Sequence, residues 1–338
     1  MIGIVILILF AFLIKRFLKK YEKPLYNHVG QYKYTYHGKN KEYYTETLYY
    51  PSSCNDHSIV FLFQSGNPGY VKFYDRFLLH LSQAFNKQYD VIGIGQAGQF
   101  KKEGSFKRYF NLKQQIDHKI QYFNDLIKQD KYKNSKFVFI GHSCGCYTTL
   151  KLINAIDQKR IFHVIMIHPT IDRLVQTPLG QERNNLHRYT FFIKIALKCI
   201  DYFIPLSLLR FISLKAYENE RIQNGEDIND CAENIAQWIG YETGLSFMYL
   251  TKFQFDEIKQ LNESEIKKFS NKMTVYYAKG DEYTPEYIKK DFKDKFSNFV
   301  DCFDDEVGLD HAFIFGGSKI KAQLIRKLLS TKIKNNQL

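Results

Sequence analysis

The sequence has no cysteines at metal or redox spacing, no glycine-rich phosphate loop and no apolar run of membrane-spanning length. Its six cysteines, at 54, 144, 146, 199, 231 and 302, suit neither a disulfide framework nor a paired C-x-x-C site, and they point to a reduced, cytosol-facing chain. No G-x-G-x-x-G opens a helix after a strand and no G-x-x-x-x-G-K-S/T occurs. No His/Cys/carboxylate cluster has metal spacing either, so neither a cofactor nor a metal is implied. Seven prolines and one tryptophan are present in 338 residues, with no Pro-rich or Gly/Ser-rich linker and no internal repeat. The body, residues 28–338, therefore reads as one domain. The longest apolar stretch, Ile2 to Ile14, is shorter than the roughly 20 residues needed to span a bilayer.

Basic charge and aromatic side chains are plentiful. Lys+Arg 48 against Asp+Glu 35 gives +13, which favours anionic lipid, nucleic acid or acidic substrates as partners. Lipid ranks first, because no aromatic-lined basic platform for nucleic acid can be located. The C-terminal run Lys319, Lys321, Arg326, Lys327, Lys332, Lys334 reads as a solvated helix face. No obligate protein partner is evident. A mean hydropathy of -0.36 describes a largely water-soluble body, while 25 Tyr and 29 Phe favour strands and greasy surfaces. Lys15, Arg16, Lys19 and Lys20 follow the N-terminal apolar stretch. Positive charge after the apolar segment, with no A-x-A cleavage site, predicts a retained membrane anchor over 1–20 with the body on the cytosolic side. The anchor either spans or lies in one leaflet.

Two aromatic strands, Gln31 to His37 and Glu42 to Tyr50, are expected to join across Gly38-Lys39-Asn40. Strands and helices then alternate. Ser58 to Gln64, Asp90 to Ile94, Lys136 to Ile140 and Phe162 to Ile167 read as strands. Phe73 to Phe85, Leu112 to Ile127 and Cys144 to Ile156 have helical spacing. The pattern predicts an α/β fold with a mostly parallel sheet and helices on both faces. The alternation stops near Pro169 and resumes at Met273 to Ala278. An insertion at about 172–270 is far longer than ordinary connections and reads as a helical lid. Within it, Tyr189 to Leu214 is strongly apolar and broken at Pro205, which predicts two short helices. They form either the underside of a lid packed on the core or a surface that dips into lipid.

The motif Gly141-His142-Ser143-Cys144-Gly145 falls between a predicted strand and a predicted helix. Its glycines permit a strained turn that lifts the Ser143 hydroxyl toward substrate. A serine needs a base and an orienting acid, expected in the order Ser, Asp/Glu, His. His311, after the predicted last strand Phe299 to Phe303, is the base. Asp281, beyond the strand Met273 to Ala278, is the acid, with Asp172 the runner-up and Asp310 less suited to face the ring. His142 is expected to pack beneath the turn. His168 could reach the site but lies in the wrong order, and His28, His37, His57, His80, His163 and His187 are left structural. The turn Ser65-Gly66-Asn67-Pro68-Gly69 offers a backbone N–H opposite that of Cys144 for an oxyanion. Pro68 has none, so Gly66 or Asn67 must supply it, and Asn67 is preferred.

With these residues assembled, the chain resembles the lipid droplet-associated hydrolase family, a branch of the α/β-hydrolases, from about Ile59 to Phe315. The strings that carry the resemblance are Gly66-Asn67-Pro68-Gly69 with Phe73-Tyr74, Gln115-Ile116-Asp117-His118-Lys119, Gly141 to Gly145, Pro169-Thr170-Ile171-Asp172, Lys289-Lys290-Asp291-Phe292 and His311-Ala312-Phe313. Cys144 and Glu282-Tyr283-Thr284-Pro285 depart from the family's usual residues. The resemblance implies a serine hydrolase of lipid droplets and endoplasmic reticulum. Ser143, Asp281 and His311 stand at the triad positions, and lipid esters of the sterol ester or acylglycerol class are the implied substrates. The competing reading is a droplet- or membrane-organising protein on a hydrolase fold with little turnover.

Overall fold

A computed structural model describes residues 29–35, 42–100, 109–216, 229–305 and 307–336; the anchor expected at 1–20 and the turn at 38–40 lie outside them. The elements are β1 (Val29–Thr35), β2 (Glu42–Tyr50), β3 (Ile59–Gln64), α1 (Asp75–Ala84), β4 (Asp90–Ile94), α2 (Leu112–Ile127), β5 (Lys136–His142), α3 (Cys144–Ala155) and β6 (Ile161–Ile167). There follow α4 (Pro178–Asn184), α5 (Thr190–Phe203), α6 (Leu206–Ala216), α7 (Asn229–Trp238), α8 (Tyr241–Glu257) and α9 (Glu263–Lys267). The chain closes with β7 (Met273–Tyr277), α10 (Glu286–Phe296), β8 (Asp301–Asp304) and α11 (Ser318–Asn336).

One sheet runs in the order β1-β2-β4-β3-β5-β6-β7-β8. The pairs β1–β2 and β2–β4 are antiparallel and every other pair is parallel. Successive strand residues point to opposite faces, and the central strands are apolar on both. Phe61, Phe63, Val138, Ile140, Ile165 and Ile167 meet Phe77, Leu81, Ile325 and Leu329 of α1 and α11 on one face. Val60, Leu62, Phe137, Phe139, Val164 and Met166 meet Phe123, Leu150, Ile153 and Phe296 of α2, α3 and α10 on the other. Each fully buried side chain of this kind contributes on the order of 1.5–3 kcal/mol, so the two layers hold the strand ends in fixed register.

Element boundaries shift where local hydrogen bonding decides them. The stretch read as a helix from Phe73 begins with a 3-10 turn, Val71–Tyr74, before α1. The last strand starts at Asp301, because the N–H groups of Phe299 and Val300 both close onto the Phe296 carbonyl at the end of α10. α2 starts where Asn111 and Gln114 form a reciprocal capping box. The described residues between β6 and β7 are largely helical, and α5 and α6 meet around Pro205 as the sequence predicts. One expectation is overturned. Lys321, read as part of a solvated face, is fully buried, with its ammonium 2.7 Å from the Asp305 carboxylate. Its position on α11 faces the sheet, and a buried cation without a counter-charge would cost several kcal/mol.

Candidate active site

The parallel strands β5, β6 and β7 end on one side of the sheet, and the loops that follow converge there. Ser143 sits between β5 and α3 with φ 53 and ψ -126, a conformation that non-glycine residues rarely adopt. Two packing facts over-determine it. A Cβ at Gly145 would lie 2.4 Å from the Gln64 carbonyl oxygen, so only glycine lets α3 approach β3 this closely. The Ser143 N–H is also held by the Ile167 carbonyl of β6, at 3.0 Å.

His311 lies after β8 and Asp281 lies just beyond β7. The His311 Nε2 is 2.9 Å from Ser143 Oγ, and its Nδ1 is 2.7 Å from Asp281 Oδ2. The network is satisfied when Nδ1–H donates to the carboxylate and Nε2 accepts the serine proton. Burial works to raise the Asp281 pKa, but the adjoining His311 charge and hydrogen bond outweigh it, with help from the Tyr283 N–H, and hold the carboxyl below its ordinary range. Asp172, the alternative acid, is engaged elsewhere. Its carboxylate accepts from Arg173 Nε at 2.9 Å and from the Leu261 N–H at 2.9 Å. Asp310 is exposed.

The turn after β3 packs directly on this site. A Cβ at Gly66 would come within 3.1 Å of the Ser143 Cβ, so the turn admits no larger residue there without displacement. The Gly66 N–H donates to the Tyr74 hydroxyl at 3.0 Å, which leaves Asn67 as the residue of the pair whose N–H has no partner among the described residues. The Asn67 side chain is pinned from both sides. Its amide donates to Thr251 Oγ1 of α8 at 2.9 Å, and its carbonyl accepts from Gln99 Nε2 at 2.9 Å. Gln96 Nε2 holds the Ser65 carbonyl at 3.0 Å, and Gln96 Oε1 in turn accepts from the buried Lys119 ammonium at 3.2 Å. Burial pushes the Lys119 pKa down to about 7. Cys144 opens α3, and the first N–H groups of a helix have no partner within it. Its thiol is fully buried and is pushed up to about 12 by burial.

Sequence reasoning missed how firmly His311 itself is held. The main-chain carbonyl of His311 accepts two hydrogen bonds, from His142 Nε2 at 2.8 Å and from His168 Nδ1 at 2.9 Å. His142 Nδ1 in turn accepts from the Tyr74 hydroxyl at 2.7 Å, so a continuous chain runs Gly66, Tyr74, His142, His311. His168 Nε2 faces Lys321 Nζ at 3.3 Å, and Lys321 pairs with Asp305, whose other oxygen accepts the N–H groups of Val307 and Leu309 at 3.0 and 3.3 Å. Burial lowers the pKa of both His142 and His168, at His168 against the pull of the Asp305 carboxylate, and so favours the neutral rings that these hydrogen bonds use. His168 has φ 46, a second constrained backbone at the end of an adjacent strand. Its position beside Pro169 at a strand end was the available signal; Tyr74 and Asp305 offered none beyond their distant neighbours in the fold. Among the described residues no group of three or more His, Cys, Asp or Glu side chains is disposed to hold a metal ion.

A constrained serine at a strand-to-helix turn, with a histidine and an acid delivered by later loops of an eight-stranded, mostly parallel sheet, defines the α/β-hydrolase fold. Solved structures bear this out. A serine hydrolase from Cycloclasticus zankles matches with a TM-score of 0.59 at 18% identity, covering 89% of this chain and 98% of that one. A peroxisomal alpha-beta-hydrolase of Saccharomyces cerevisiae matches with a TM-score of 0.60 at 12% identity, covering 91% and 89%. Residues 57–314 match the family described as Lipid-droplet associated hydrolase, and the chain belongs to that family. Relatives named lipid droplet-associated hydrolase occur in Gallus gallus, 27% identical over 79% of this chain and 83% of its own length, and in Dictyostelium discoideum, 26% identical over 86% and 93%.

Proposed function

We propose that the protein is a serine hydrolase that cleaves carboxylic esters of lipids at the surface of lipid droplets. The observation that carries the reading is the unbroken line from Asp281 through His311 to Ser143, at 2.7 and 2.9 Å, on a serine with φ 53. Ser143 Oγ attacks the ester carbonyl while His311 Nε2 takes its proton, and Asp281 stabilises the imidazolium. The oxyanion accepts hydrogen bonds from the N–H groups of Asn67 and Cys144. The tetrahedral intermediate collapses, His311 returns the proton to the leaving alcohol, and an acyl group remains on Ser143. Water then attacks with His311 as base, releasing the acid and restoring the serine.

Two features support a lipid surface as the place of action. Nine of the thirteen exposed large apolar side chains among the described residues fall between Tyr189 and Ile212, including Phe191 at 68%, Phe192 at 67% and Phe211 at 57%. Lys198 and Arg210 stand beside them, also exposed, and basic residues bordering such a face suit an anionic interface. The cavity beside Ser143 has a volume of about 20 Å³, room for about one water and not for an acyl chain. The α5–α6 pair therefore acts as a lid that must move before a lipid enters, while α4 and α8 keep their places around the cavity. The 1–20 segment adds a membrane anchor that keeps the body on the cytosolic side of droplet or endoplasmic reticulum. Incubating the full chain with emulsions of cholesteryl oleate or triolein should release fatty acid, and Ser143→Ala should abolish the release.

The large exposed face also favours a second reading, a droplet-organising protein with little turnover. Droplet size and number in cells would then respond equally to the wild type and Ser143→Ala, and fail to respond when residues 1–20 are deleted.

A further inference from the structure

Besides Ser143, the cavity is lined by Arg183 of α4, Thr170 after β6, Gln254 of α8 and Tyr283. Among the residues that line it, Arg183 alone is charged. Arg183 places its guanidinium 5.3 Å from the centroid of the Tyr283 ring, and that ring is 4.5 Å from the His311 ring. A cation stacked in this way is fixed one ring away from the base. Arg183 has no ion-pair partner among the described residues, whereas Arg173, a short distance earlier in the chain, is bound to both Asp172 and Asp291. Two further groups point to an absent ligand. Thr170, 3% exposed, buries a hydroxyl with no hydrogen-bond partner, and Gln254, 5% exposed, buries an amide nitrogen that faces the Cys144 thiol and finds no oxygen acceptor. An unsatisfied buried polar group costs roughly 1–3 kcal/mol, and a ligand in the cavity would remove that cost for both.

A neutral sterol or long-chain ester brings one acceptor-bearing group to this cavity, and the oxyanion donors already serve it. The guanidinium, hydroxyl and amide together call for additional acceptor oxygens carrying negative charge. We infer that the preferred substrate is a lipid ester that also bears an anionic group, a carboxylate or a phosphate, which Arg183 binds in the cavity that Ser143 lines, with Thr170 and Gln254 completing its hydrogen bonds. The inference rests on the ester-hydrolase reading and narrows its substrate class. Arg183 acts in specificity and takes no part in the proton transfers.

Binding and turnover separate the two claims. Calorimetric titration of the full chain in detergent would use dodecanoate, dodecyl phosphate and neutral dodecanol. We expect at least one anion to bind tenfold or more tightly than the alcohol, and Arg183→Gln to erase that difference, as loss of a charged hydrogen bond implies about a tenfold to hundredfold change. The carboxylate and phosphate arms identify which group is read. In parallel, kcat/KM would be measured for p-nitrophenyl octanoate and for the mono-p-nitrophenyl ester of suberic acid. A phosphate-bearing acylglycerol forms the third arm. Arg183→Gln should lower kcat/KM for an anionic ester by the same factor and leave the neutral ester within about twofold. Equal binding of anions and alcohol by the wild type, or an equal loss on neutral and anionic esters in Arg183→Gln, overturns the inference. Preferential anion binding, lost in Arg183→Gln, without hydrolysis of any ester would preserve the anion site and overturn the ester-hydrolase reading, and with it the substrate assignment.

Discussion

The loop that carries His311 and the α5–α6 pair invert the ordinary rule of burial in opposite directions. Around His311, polar groups are inside: Asp305, Lys321, His142 and His168 are buried, and each finds a partner. Around Phe191 and Phe211, apolar groups are outside and α5 has no buried residue. A buried network of this kind costs desolvation and returns a rigid position for a carbonyl and the ring attached to it. An exposed aromatic face costs solubility and returns affinity for an apolar surface. On the proposed reading, chemistry belongs to the first region and attachment to the second. It predicts that each can be damaged without the other.

The sharpest break within the site is Asp281→Asn. It retains the shape of the His311 contact but favours the wrong tautomer, so kcat should fall about 10³- to 10⁴-fold with flotation on lipid emulsions unchanged. On the other side, a triple change of Phe191, Phe192 and Phe211 to serine should weaken partition onto droplet-like emulsions about a hundredfold. Hydrolysis of a soluble short-chain ester and the unfolding midpoint should hardly move, because those side chains are already exposed.

Lys119 tests whether the turn beside Ser143 is supported by a buried amine that gives up its proton near pH 7 in the folded chain. Its folded pKa is pushed down to about 7 by burial. The unfolded chain therefore holds a proton that the folded chain has lost between pH 7 and about 10. Stability should rise with pH through that window and be flat below it. Relative to Lys119→Met, the wild type should gain about 1–3 kcal/mol between pH 7 and pH 9.5 in urea titrations; a pH-independent difference would remove the buried-amine account. The smallest expected effect is that of Tyr74→Phe, which deletes the hydroxyl between the Gly66 N–H and His142 Nδ1. We expect kcat about tenfold lower with KM unchanged. A change confined to KM would show that the chain of hydrogen bonds does not position the base.

Much of this was legible in the letters. Alternating apolar strands and helices specify the sheet because every central strand is greasy on both faces, and Ser143, Asp281 and His311 announce themselves by their places after β5, β7 and β8. Asn67 was legible as a turn residue, while the reason for preferring it over Gly66 was not, since Tyr74 takes the Gly66 N–H only after α1 folds across the turn. Lys321 was misread for a similar reason. One basic residue in a run of six looks solvated until the helix is docked, and its counter-charge, Asp305, lies on a separate element. Arg183 carries no sequence signal at all, because its meaning depends on a ring and a cavity that only the fold brings together.

The central claim is that Ser143 is an activated nucleophile, and reaction with a fluorophosphonate tests it most directly. Purified full chain should be labelled in detergent micelles, faster when lipid emulsion is added, and Ser143→Ala should show no label under either condition. Equal labelling of Ser143→Ala, or a wild type that stays unlabelled with and without lipid, would contradict the account.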